Sequence, residues 1–191
     1  MAGSLQQKLE AMALARLTEA INHLDRCESD KKGGAFNISI YNAHQTCELS
    51  VKACLALLGI EEFRRHDPFK LFIMKADESF KPRLKSIFSE VTELENRYVP
   101  SKYDSVKEGR LIIPSLEFEE KDADESIRVA AECLELCFGF IESKLNERLA
   151  KEKKIGLGEL KKKKLDIKLP RDKQGLISCL KKNYSNFIKV D

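Results

Sequence analysis

Apolar positions along this chain recur at alternating intervals of three and four, the mark of helices with one buried face. Leu14, Leu17, Ile21 and Leu24 share such a face and predict a first helix over residues 5–28. Ser4 with Gln7 three positions later forms a reciprocal cap for its free N–H groups, and Gly33-Gly34 breaks the chain after it. A second helix over 36–58 carries the stripe Ile40, His44, Cys47, Val51, Cys54, Leu58 and stops at Gly59. Asp67 as a cap before Pro68 predicts a short helix over 68–75. Leu84, Phe88, Val91 and Leu94 predict another over 81–96, with Pro82 in its first turn.

Residues 97–116 contain Pro100, Gly109 and Pro114 and read as a loop. A loop of that length in a compact domain is uncommon and often functional. Asp122 with Glu125 is a second capping pattern. Ile127, Ala131, Leu134, Phe138, Ile141 and Leu145 then predict a last long helix over 123–151. These elements give an all-α, up-and-down bundle of four to five helices over residues 1–150, followed by a basic C-terminal tail over 151–191. In the tail, Gly156 and Gly158 loosen the chain, Leu165, Ile167 and Leu169 alternate like an edge strand, and Leu176, Leu180, Tyr184 and Phe187 fit a short amphipathic helix.

Charge sharpens that division. The 191 residues carry a net charge of only +3. Thirteen basic and five acidic residues lie in 151–191, a net of +8, which leaves −5 for residues 1–150. The body is therefore no general polyanion binder, and electrostatic attraction for phosphate polymers belongs to the tail, unless the tail is simply a solvated extension. There is no apolar run long enough to cross a membrane and no basic-then-apolar leader, so a cytoplasmic protein is expected. The six cysteines lie on helical stripes without zinc spacing, as reduced core thiols would. No metal or cofactor is expected, and no P-loop, dinucleotide fingerprint or nucleophile elbow is present.

Two groups of residues carry candidate chemistry. Glu48 and Lys52, four apart on the second helix, are either a surface ion pair or a polar patch that meets a ligand or partner. His44 beside them sits on an apolar stripe, as a buried histidine with a satisfied ring nitrogen does. Arg97, Tyr98, Lys102 and Tyr103 combine a guanidinium fork, an ammonium and two aromatic faces, which suits a nucleotide or RNA. The competing reading puts Arg97 on carbonyls at a helix C-terminus and the tyrosines over the core.

The motif order also resembles a known family. His44, Gln45, Glu48, Lys52 and Ala53, then His66-Asp67 after Gly59, and the Arg97-Tyr98-x-Pro100-x-x-Tyr103 segment before a closing helix, are similar to the HEPN domain (higher eukaryotes and prokaryotes nucleotide-binding). The resemblance covers about residues 5–150 and implies a helical bundle that is commonly a homodimer, with nucleotide or RNA as ligand. Family members are often paired with a small nucleotidyltransferase, sometimes as toxin and antitoxin. Many toxin members are metal-independent RNases carrying an Arg, four to six residues, then a His. Arg97 matches the Arg, but the six residues after it contain no His, which removes the general acid–base group. Tyr103, with an ordinary pKa near 10, is a poor substitute. The expectation is a non-catalytic nucleotide- or RNA-binding HEPN protein. A degenerate metal-independent RNase and a pure interaction or dimerisation module are the alternatives.

Overall fold

Helix α1, Leu5–Lys32, opens on the cap read from the sequence: the Gln7 N–H donates to Ser4 Oγ at 3.2 Å and the Ser4 N–H to Gln7 Oε1 at 3.0 Å. The computed structural model describes residues 4–61 and 68–187. The helix runs one turn beyond the predicted end at residue 28 because nothing before Gly33 opposes it, and Lys31 and Lys32 suit the negative end of the helix dipole. Gly34 then takes φ +75°, a left-handed turn that any Cβ would strain, and the chain reverses into α2, Phe36–Leu57.

The bundle is built around α2, which packs on α1, α5 (Phe88–Lys102) and α7 (Glu120–Lys153). Its predicted stripe from Ile40 to Cys54 is buried, and so is much of the opposite side. Ser39, Thr46 and Ser50 there are small enough to admit α1 closely. Their hydroxyls stay satisfied by donating to backbone carbonyls, Ser39 to Cys27 at 2.9 Å and Thr46 to Asn42 at 3.1 Å.

Helix α3 spans Pro68–Lys75, as predicted, while its expected cap Asp67 lies outside the described residues. The predicted single helix over 81–96 is two, α4 (Lys81–Ser86) and α5, broken at Ile87. The larger correction is at the other end. Helix α5 continues through Pro100 to Lys102, so the expected loop over 97–116 begins as helix. Proline in a last turn forfeits one backbone hydrogen bond, a small loss there. Ser101 is buried and ties the turn down, its hydroxyl donating to the Tyr98 carbonyl at 2.8 Å and its carbonyl accepting from Asn37 of α2 at 3.1 Å.

The rest of that segment is a hairpin, β1 (Ser105–Lys107) against β2 (Arg110–Ile112), antiparallel with Val106 opposite Leu111, and then a single turn, α6 (Pro114–Glu117). Glu108 and Gly109, with φ of 52° and 78°, make its two-residue turn. Helix α7 starts three residues earlier than predicted. Its reciprocal cap joins Glu119 and Asp122, not Asp122 and Glu125, with the Glu119 N–H donating to Asp122 Oδ2 at 3.0 Å. Of its predicted stripe Ala131 is exposed, and Ala130 takes the inward place. Phe140 anchors the other end of the bundle, edge-on to Phe72 at 5.0 Å and to Phe80 at 5.2 Å. All six cysteines are free thiols and five are buried; burial pushes the Cys27 thiol up to about 12.

The tail folds onto the bundle. After α8 (Leu157–Lys162) an extended strap leads to α9 (Lys173–Tyr184), which packs on α1 through Leu176, Leu180 and Tyr184. Leu165, Ile167 and Leu169 make no strand ladder among the described residues, contrary to the edge-strand pattern. Side chains of α7 satisfy the strap instead: Asn146 brackets Ile167 with two hydrogen bonds of 2.7 and 3.0 Å, and Glu142 accepts the Leu169 N–H at 2.8 Å. Glu10, 1% exposed, accepts from Tyr184 at 3.0 Å and pairs with Arg148 at 2.9 Å, joining α1, α7 and α9. Among the described residues no helix is long and apolar enough to cross a membrane.

Candidate functional site

The last two turns of α5 place neighbouring residues on different faces, because successive helical side chains are about 100° apart. Arg97 turns toward α7. Its guanidinium donates to Glu93 at 2.6 Å and to Glu125 at 3.0 Å and lies 3.8 Å from Asp122. Partial burial works against its charge, but the hydrogen bonds to Glu93 and Glu125 hold its pKa above the ordinary arginine value. Arg97 is thus a strut between α5 and α7, and the helix C-terminal carbonyls expected as its partners play no part.

Tyr98 faces the other way, onto α2. Its ring lies 4.3 Å from that of His44 and 5.8 Å from that of Tyr41. Lys102, one turn on, projects over the same group: its Nζ is 5.2 Å from the Tyr41 ring centre, 5.8 Å from Tyr98 and 5.2 Å from Tyr103. The hydrogen bond with Tyr103, and then the tyrosine hydroxyls nearby, raise the Lys102 pKa, so it is a firm cation at neutral pH. Among the described residues no carboxylate lies within ion-pair distance of it. The result is an ammonium on an aromatic platform at the surface, with Tyr103 53% exposed.

Glu48 and Lys52 lie beneath and beyond this platform. They form the predicted pair at 2.6 Å, yet it is not a surface pair, because Glu48 is only 7% exposed. Glu48 Oε2 is 3.8 Å from His44 Nδ1, and the two residues line a narrow cleft with Phe69, Val91 and Glu95. The His44 ring, beside buried Glu48, packs against Tyr98. His66, the remaining part of the family-like pattern, lies outside the described residues together with Asp67. The structure therefore brings Tyr98, Lys102 and Tyr103 together, sets Glu48 and Lys52 behind them, and sends Arg97 away. Tyr41, which completes the platform, went unnoticed in the sequence; its position three before His44 on the second helix was the available signal. Among the described residues no group of three or more His, Cys, Asp or Glu could hold a metal ion.

Comparison with known proteins assigns this all-α bundle to a family. The HEPN domain profile matches residues 13–145, and the chain belongs to the HEPN domain family. It is 33% identical over 111 residues to a protein of Methanocaldococcus jannaschii named "Putative toxin MJ1304", an alignment spanning 56% of this chain and 72% of that protein. It also resembles the crystal structure of ST0689, an archaeal HEPN homologue, with a TM-score of 0.51 and 26% identity, covering 68% of this chain and 97% of the other.

Proposed function

We propose that this protein is a toxin-like HEPN module directed at RNA, which it holds as a single strand on the platform of Tyr41, Tyr98, Lys102 and Tyr103. The observation that carries the reading is the Lys102 ammonium, poised over three tyrosine rings with no described carboxylate to neutralise it. Aromatic faces accept any base, and an adjacent cation accepts the backbone phosphate. Glu48, Lys52 and His44 act from below by holding Tyr98 in place, and Arg97 acts by fixing α5 to α7. Fluorescence anisotropy with a labelled ten-nucleotide RNA, with ATP and GTP as competitors, tests this. Binding that falls about tenfold in Lys102→Ala is expected from the loss of one charge and its stacking support. No binding above background to any of the three ligands rejects the reading.

A metal-independent RNase activity is the second reading, favoured by the likeness to a protein named as a toxin. Labelled RNA incubated in EDTA decides between cutting and holding. Cleavage that survives EDTA and disappears in Arg97→Ala establishes the RNase. Intact RNA with Lys102-dependent binding establishes the non-catalytic module. A homodimer or a nucleotidyltransferase partner belongs to the same proposal, supported by the exposed apolar residues Val106 and Leu111, 72% and 61% accessible, on the hairpin beside the platform. A clean monomer in sedimentation at high concentration excludes self-association.

A further inference from the structure

The lysines of the tail do not trail into solvent as a flexible string. Lys151 and Lys153 end helix α7 and Lys154 caps it, Lys161 and Lys162 end α8, Lys163 and Lys164 follow it, and Lys168 lies on the strap. All eight are exposed. Against them residues 151–168 hold only Glu152, Glu159 and Asp166, a local net of +5, so the rest of the chain sums to −2. Two of these carboxylates are engaged, Glu159 with Lys163 at 2.6 Å and Glu152 with Arg148 at 3.6 Å, and Lys168 lies 3.8 Å from Glu142. Among the described residues Lys151, Lys153, Lys154, Lys161, Lys162 and Lys164 have no carboxylate partner.

This corner has a scaffold. Leu160 is buried at 1% exposure, the Leu165 N–H closes the turn on the Leu160 carbonyl at 3.0 Å, and Asn146 and Glu142 of α7 hold the strap that follows. Two of the unpaired lysines, Lys154 and Lys164, occupy left-handed backbone, with φ of 52° and 53°, where glycine would be free of strain. Six like charges without a carboxylate partner within residues 151–164 of a folded segment repel one another, and a bound polyanion removes that repulsion. Two exposed leucines, Leu157 and Leu165, accompany them, and α8 is six residues long and buries Leu160. That is too little apolar surface to enter a lipid layer, so a charged polymer fits better than a membrane.

We infer that the corner formed by the end of α7, α8 and the start of the strap is a second binding site, electrostatic and independent of sequence, for the phosphate backbone of single-stranded RNA. It rests on the RNA reading for its ligand but not on the tyrosine platform, which is made by other elements. The platform takes bases and one phosphate; the corner takes several phosphates and supplies most of the salt dependence.

The test uses the full chain, a labelled thirty-nucleotide RNA and inorganic polyphosphate, titrated from 50 to 300 mM KCl. In the triple variant Lys161→Gln, Lys162→Gln, Lys164→Gln the slope of log K against log salt falls by about 2 for RNA, since each lost contact with a single strand removes roughly 0.7. The corresponding arginine variant keeps the slope. Lys102→Ala changes the slope by less than one and weakens RNA more than polyphosphate, which has no bases to stack. A second variant, Lys151→Gln, Lys153→Gln, Lys154→Gln, must reproduce the effect, and thermal melts confirm that both remain folded. An unchanged slope in both folded variants overturns the inference. So does loss of binding to phosphatidylserine vesicles with RNA binding intact, which would make the corner a membrane contact. Polyphosphate bound through the corner without any RNA binding would sink the platform and leave a general polyanion site in place of an RNA site.

Discussion

Arg97 and Lys102 lie five residues apart on one helix and end in opposite circumstances. Arg97 is enclosed by Glu93, Glu125 and Asp122 and spends its charge joining α5 to α7. Lys102 stands over three aromatic rings with no described carboxylate near it. The side chains follow their chemistry: a planar guanidinium can satisfy several carboxylates at once, while a compact ammonium on a flexible stem leaves its charge available to solvent or ligand. In this protein the arginine most like a family signature is held among three carboxylates, and a lysine that no motif demands stands clear of any described one.

Mutations can break that comparison in graded ways. The largest effect should come from a charge pair that, unlike those of Arg97, has an interior partner. Glu10→Ala strips Arg148 and Tyr184 of their shared partner and should cost about 3 kcal/mol, since breaking a buried pair leaves a poorly solvated charge behind. Urea denaturation measures it; a loss below 1 kcal/mol would mean that the strap and α9 contribute little to the fold. Arg97→Ala should cost about 1 kcal/mol, discounted because its partners are exposed, with RNA affinity changed less than twofold. If affinity instead collapses while stability holds, Arg97 touches the ligand and the comparison fails. Lys102→Ala should leave the urea midpoint where the wild type has it, as surface substitutions do, while weakening RNA binding.

Acid should act on the same contrast. Burial pushes the Glu142 carboxyl upward, but hydrogen bonds from Arg171 and from the Leu169 N–H, with the charges of Arg171 and Lys168, outweigh it and leave its pKa below the ordinary 4.5. A carboxyl depressed on folding contributes stability that is complete above its unfolded pKa and fades as pH falls through the folded value. The strap contribution should therefore be constant above about pH 5 and decline below the ordinary carboxyl range near 4.3. Glu142→Gln should flatten that part of the pH–stability curve, read by circular dichroism, and an identical curve in the variant would show that Glu142 does not clamp the strap.

The long helices were legible in the sequence because each carries an uninterrupted three–four rhythm, and caps such as Ser4–Gln7 mark where α1 begins. The segment after Asn96 was not. Pro100 signals an end, and only the buried Ser101 and its bond from Asn37, sixty-four residues away, explain why the helix continues. That continuation puts Tyr98 and Lys102 one turn apart on a helix where the sequence suggested two points on a loop. The edge-strand pattern of Leu165, Ile167 and Leu169 misled for a related reason. Alternation records which side chains face inward, but not whether a ladder or the side chains of Asn146 and Glu142 satisfy the backbone.

By itself the sequence determined an all-α bundle, its HEPN-like motif order, and a mildly acidic body with a basic tail, because periodicity, caps and charge counts are local quantities. Only the tertiary structure decided that Glu48 is interior, that Arg97 is bound up in carboxylates, and that Lys102 is not. It also decided that the tail lysines are carried on a folded segment held by α7. Each of those outcomes depends on which helix packs opposite the residue, and spacing along one chain does not carry that information.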